Sequence, residues 1–186
     1  MHTLISRVTR IFTRIFAAGA SFSMVLLFLI VFVNSVRRYA IGKSLEWGEE
    51  LPVFIAIYGI MFGVALAYLQ DRHIRFTMLV GFLSEKSTRL LYAVVDLVMV
   101  VIGVMLTWSG WQFMMKRGGM ESSGLINSAK VLREVTGWDF MIWFGHLYPY
   151  QAAMVLGGVM LTIAAILKFF GRLTAEKSNF TISEVL

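Results

Sequence analysis

The chain has 186 residues, 58% hydrophobic and 15% charged, with a formal net charge of +6 and no cysteine. That composition is too apolar for an ordinary soluble domain, and the missing thiols exclude a disulfide scaffold and cysteine-ligated metal sites. The basic residues flank apolar runs, which points to anionic lipid headgroups as their partner and not to nucleic acid.

Arg7, Arg10 and Arg14 recur at steps of three and four, with Ile5, Val8, Ile11, Phe12 and Ile15 on the other side of the same helical wheel. This spacing predicts a short amphipathic N-terminal helix resting on headgroups, or a positive flank that sets topology. Residues 15–36 follow without a formal charge. A bilayer core of about 30 Å takes about 20 apolar residues of helix. The run is too long for a signal-peptide core and is followed by Arg37-Arg38-Tyr39, so it reads as a retained first span.

The first loop holds the densest set of candidate residues: Arg37, Arg38, Tyr39, Glu46, Trp47, Glu49 and Glu50. The three glutamates are spaced to share a helical face at the start of a second span, where carboxylates favour the positive end of the helix dipole. Arg37 and Arg38 close the first span nearby, so Arg–Glu pairing is expected, foremost for Arg38. Glu46, nearer the middle of the loop, is a candidate for docking other components. Tyr39 and Trp47 have the apolar ring and polar handle that suit a membrane interface. Three glutamates alone supply too few convergent oxygens for a hard cation.

The second span is expected over 51–70, and Gly59, Gly63 and Ala67 mark one smooth stripe on it. Small residues at such steps let another helix approach closely. The third span is expected over 90–115, interrupted only by Asp96. A carboxylate within a span is a functional candidate by default. Asp96 nevertheless lies only about 10 Å along the helix from Arg89, so pairing with Lys168, Arg172 or Arg14 near the headgroups is the favoured reading. The largest polar segment is 116–139, and the fourth span is expected over 140–167.

The fold expected is therefore all-α: an integral membrane protein whose single domain, residues 1–186, holds four spans behind the N-terminal helix. Every backbone group within a bilayer must be bonded inside its segment, which favours helices. Lys and Arg number ten in the termini and the middle loop, against seven in the other two loops. The positive-inside rule then puts both termini in the cytoplasm. A haem-binding bundle is disfavoured, because His2 and His73 lie outside the spans and His146 is at a span edge. No phosphate loop, nucleophile–base pair or metal-ligand spacing appears. Pro52 and Pro149 sit near span ends, so there is no sign of the broken helices that build transporter substrate sites.

The ordered set Arg38-Tyr39, Gly42, Ser44-Leu-Glu-Trp47, Glu49-Glu50-Leu51, Gly59, Gly63, Ala65 and Asp71-Arg72-His73-Ile74 resembles the small membrane subunit (Q subunit) of tripartite ATP-independent periplasmic, or TRAP, transporters. Pro149 resembles the proline that opens that family's fourth span; residues 116–145 match it less closely. The resemblance implies a non-catalytic scaffold with no cofactor in this chain. It implies a large membrane subunit holding the substrate and sodium sites, and a periplasmic protein that delivers an organic acid, such as a C4-dicarboxylate or sialic acid. It also implies a bacterial inner-membrane location. The competing reading is a self-contained oligomeric transporter or channel using Asp96.

Overall fold

The computed structural model describes residues 2–70 and 84–183. Five α-helices occur among them: α1 (His2–Ile41), α2 (Glu50–Leu69), α3 (Glu85–Arg117), α4 (Ile126–Thr136) and α5 (Tyr148–Ser183). Four of these, α1, α2, α3 and α5, are long and apolar enough to cross a membrane. The protein is thus all-α, as an integral membrane protein of this composition should be.

The local chemistry explains where each helix starts and stops. No proline interrupts α1, which runs for 40 residues, about 60 Å. The basic N-terminal segment is therefore not a separate short helix. It is the first part of α1, with Arg7, Arg10 and Arg14 exposed along it. Nothing between residues 2 and 41 breaks the hydrogen-bond ladder until Gly42, whose φ of 75° ends the helix. Its N–H reaches back to the Arg38 carbonyl, and only glycine takes up that left-handed conformation at little cost.

Pro52 falls in the first turn of α2, where its missing N–H has no intrahelical partner to lose. Ser84 caps α3, accepting from the Ser87 N–H at 3.3 Å, as N-cap serines do. The expected start of the fourth span at residue 140 needs correction. Residues Asp139–Gly145 form a 3-10 segment, and α5 begins at Tyr148 with Pro149 in its first turn. The apolar run continued without a break in the sequence, but its first part folds back on α4 instead of entering the span.

The spans stand side by side in the order α1, α2, α5, α3. The central helix is α5, and two adjacent glycines put it there. A Cβ on Gly157 would strike the Met61 side chain of α2, and one on Gly158 would lie 2.5 Å from the Thr107 backbone N of α3. Neighbouring helix positions point about 100° apart, so Gly157 and Gly158 serve two different partners. Gly103 and Gly110 complete the α3–α5 contact from the other side, each facing α5 backbone within about 3 Å of a would-be Cβ. At the end that carries the termini, α1 joins the centre as well. Phe16 packs there with Ala65, Tyr68 and Leu69 of α2 and Met160, Leu161, Ala164 and Ala165 of α5.

Candidate functional site

The residues singled out in the first loop lie at the end of the array opposite the termini. Asn34, in the last turns of α1, holds the loop in shape. Its Oδ1 accepts from the Leu45 N–H at 2.8 Å, and its Nδ2 donates to the Gly48 carbonyl at 3.3 Å. Gly48 is buried against the same amide, and a Cβ there would lie 2.5 Å from the Asn34 Cγ. Glu46, Trp47 and Gly48 form a 3-10 turn.

The glutamates consequently do not share one helical face. Glu46 belongs to the 3-10 turn, Glu49 is the exposed residue before α2, and Glu50 opens α2. Arg37 and Arg38 are still within α1, exposed or half-buried on its last turns, and Tyr39 is 92% exposed. The expected Arg–Glu pairing is not what the structure forms. Glu50 turns toward the segment after α3, where Ser122 Oγ donates to Oε2, Ser123 Oγ donates to Oε1 at 2.6 Å, and the Gly124 N–H donates to Oε2 at 3.2 Å. Glu46 reaches the same segment more loosely, accepting from Asn127 Nδ2 at 3.4 Å. A carboxylate accepts several hydrogen bonds at once, and three neutral donors in fixed positions satisfy it without a cation.

Other contacts tie this end together. Tyr58 Oη donates to the Pro149 carbonyl, and Phe54 stacks on Tyr150 with ring centroids 4.3 Å apart. Residues 118–122 and 145–148 run antiparallel: Ser122 N–H donates to the Gly145 carbonyl, Leu147 N–H to Met120 and Tyr148 N–H to Gly118. This two-stranded neck carries a hairpin made of α4 and the 3-10 segment. Ile126 and Ala129 of α4 pack on Gly145, where a Cβ would clash.

The glycine stripe of α2 divides between two surroundings. Gly59 is buried against α1, with Ser23 and Met24 at 3.1–3.2 Å from a would-be Cβ. Gly63 has nothing within 4 Å of that position. The stripe is therefore not one packing surface within this chain. His73 lies outside the described residues.

Asp96 is fully buried, at the end of the array that carries the termini. Tyr68 Oη donates to its Oδ1 at 2.5 Å, and Arg172 Nε approaches its Oδ2 at 3.3 Å. The same guanidinium lies 4.5 Å from the centroid of the Tyr92 ring. Of the cations considered for this carboxylate, the structure brings Arg172 to it. A helix pair of three and five is thus joined to α2 through one buried polar cluster. Tyr68 had no distinguishing signal in the sequence, since a tyrosine near a span end also reads as an interface residue. Asn34, Ser122 and Ser123 carry no local signal either, because their partners lie 11 to 73 positions away.

Comparison with known proteins agrees with this architecture. Residues 27–175 match the family described as tripartite ATP-independent periplasmic transporters, DctQ component. One Haemophilus influenzae protein is 22% identical over 136 residues, covering 69% of this chain and 81% of its own length. A second match from that organism is 26% identical over 88 residues, covering 47% of this chain and 55% of its own length. Both are provisionally named TRAP transporter small permease proteins. The family match takes in the loop cluster, Asp96, the hairpin and all of α2 and α3, and so the chain belongs to the DctQ component family as a small subunit of a TRAP transporter.

Proposed function

We propose that the chain is a non-catalytic scaffold for a sodium-coupled importer of an organic acid, working with a large membrane subunit and a periplasmic binding protein. Family membership supports the tripartite setting. The observation that carries the scaffold reading is the shape of the helix array. Four spans in a row, α1–α2–α5–α3, leave broad apolar faces on the outer helices, among them Phe22, Phe28 and Phe32 on α1 and Val94, Val98, Val101 and Met105 on α3. Such a row widens a membrane platform and offers a flank to a larger neighbour.

Asp96 fits a structural role in this reading. It is engaged by Tyr68 and Arg172 and is fully buried inside the array, which supports that role. Substrate and sodium would then be held by the large subunit. The array would sit in a bacterial inner membrane with both termini cytoplasmic, which puts the Glu50 network and the hairpin on the periplasmic side. Glu46 and Glu49, exposed there, would be open to the binding protein.

The test is reconstitution. The chain should copurify with a co-expressed large TRAP permease, and liposomes holding both should import substrate when sodium and binding protein are supplied. Liposomes holding this chain alone should show none. Sodium-driven uptake by the chain alone would replace the scaffold reading with a self-contained transporter.

A further inference from the structure

The hairpin between α3 and α5 carries an apolar surface that the chain itself does not cover. On α4, Val131, Leu132 and Val135 are exposed, Val135 at 79%. By helical spacing Lys130 and Glu134 lie about 130° away round the helix, and Arg133 falls between the buried Ile126 and Ala129 on a third side. Beyond Gly137, Trp138, Phe140, Trp143 and Phe144 are exposed as well. Trp138 and Phe140 lie 5.4 Å apart by ring centroid, and Phe140 and Phe144 lie 6.5 Å apart.

The height of this surface is fixed by its ties to α5. Trp143 stacks on Tyr148, the first residue of α5, at 5.7 Å. Tyr150 Oη donates to the Phe144 carbonyl at 2.8 Å. The aromatic surface is thus level with the first turn of a span, where that span enters the bilayer. Tryptophan and phenylalanine beside a helix with one charged and one apolar side are what an interfacial element requires.

We infer that the hairpin, residues 123–145, lies in the headgroup zone of the bilayer, with Val131, Leu132, Val135, Trp138, Phe140 and Trp143 set into the lipid and Lys130 and Glu134 toward water. Its occupant is the phospholipid surface. The hairpin then holds this end of α3 and α5 at a set depth, as a lateral anchor that a bare loop would not provide. The inference needs only that the long helices span a bilayer, and it stands or falls apart from the partners proposed above.

The chain has no cysteine, so single spin labels report cleanly. Val135→Cys, Phe140→Cys and Trp143→Cys would be labelled in the full chain in phospholipid bilayers, with and without the co-assembled large subunit, and Lys130→Cys would serve as the water-side control. Collision with oxygen, which concentrates in lipid, should exceed collision with a water-soluble nickel chelate several-fold at the three apolar positions, with the reverse at residue 130. Val135 is 79% exposed, so its label should not disturb the fold; Trp143→Cys removes the stack on Tyr148, so its signal is read only where Val135→Cys and Phe140→Cys agree with it. As an unlabelled measurement, the emission of Trp138 and Trp143 should be quenched by phospholipids brominated high on the acyl chain, in a chain whose other tryptophans are phenylalanine. A nickel-dominated signal at the three positions, or no bromine quenching, would put the hairpin in water and overturn the inference. Shielding from both reagents once the large subunit is present would give the surface to that subunit and overturn it too.

Discussion

Glu50 and Arg38 show how far a charged residue's role depends on what the chain brings next to it. The loop sequence offers arginines and glutamates at adjacent span ends, yet Glu50 is satisfied by Ser122, Ser123 and the Gly124 N–H. Glu50→Ala strands those donors at the base of the hairpin. We expect a loss of about 1–3 kcal/mol in unfolding free energy, the usual cost of leaving partly buried hydrogen-bonding groups unmade. Arg38→Glu, on the last turns of α1, should stay within about 0.5 kcal/mol of the parent, as surface changes do. Equal damage from both, read by denaturant or thermal unfolding in detergent, would restore the Arg–Glu pairing. At the other end, Asp96 and Arg172 form the charged part of the buried cluster. Arg172 is itself about one-third exposed, so water moderates the pair. Asp96→Ala and Arg172→Ala should each destabilise the array, and the double variant should be less harmful than their sum. A coupling of about 0.5–3 kcal/mol is expected for residues in contact, whereas strict additivity would show that the two do not interact.

Helix contacts in this chain are set by glycines, and the structure decides which glycines count. Without a hydrophobic drive between helices in lipid, close approach supplies much of the packing energy. Gly158 faces backbone of α3, and Gly59 faces Ser23 and Met24 of α1, while Gly63 faces open space. Gly158→Leu should therefore be the most damaging of the three, costing about 1–3 kcal/mol or more by overpacking, with Gly59→Leu next. Gly63→Leu should leave the isolated chain's melting temperature unchanged. A large loss at Gly63 in the isolated chain would mean that α2 packs differently from the arrangement described. The steps Gly59–Gly63–Ala67 were visible in the sequence, but a stripe records only smoothness. The paired Gly157-Gly158 carried the more useful signal, since two adjacent small residues let a helix lie between two others. The N-terminal basic helix and the fourth span failed at their boundaries for one reason. An apolar run has no internal mark for where it leaves the bilayer, so α1 continued through residue 14 without a break and residues 139–145 folded back on α4.

Across the whole molecule, the cluster at Asp96 and the network at Glu50 hold opposite ends of the same four helices. The basic-residue tally predicts a direction for the array, with both termini cytoplasmic. Tyr39, at 92% exposure, is a site where a cysteine changes little. Tyr39→Cys in intact cells should react with a membrane-impermeant maleimide added outside, after the outer membrane is permeabilised. A cysteine at Ser6, near the start of α1, should react only after the inner membrane is opened. The reverse pattern would invert the array and place the hairpin in the cytoplasm.

The sequence alone determined the class of this protein. Long runs without charge cannot be buried in a molecule of this size, so they must meet lipid, and within lipid the backbone must close its own hydrogen bonds as helix. The order of residues around the first loop was also enough to carry the family resemblance. Tertiary structure alone decided which helix is central, which glycines are contacts, and which partner each buried carboxylate takes. Those are relations between residues tens of positions apart, and they depend on how rigid helices nest and not on local periodicity. The hairpin is the clearest instance: its aromatic residues read as the start of a span until the neck between residues 118–122 and 145–148 turned them outward along the end of the array.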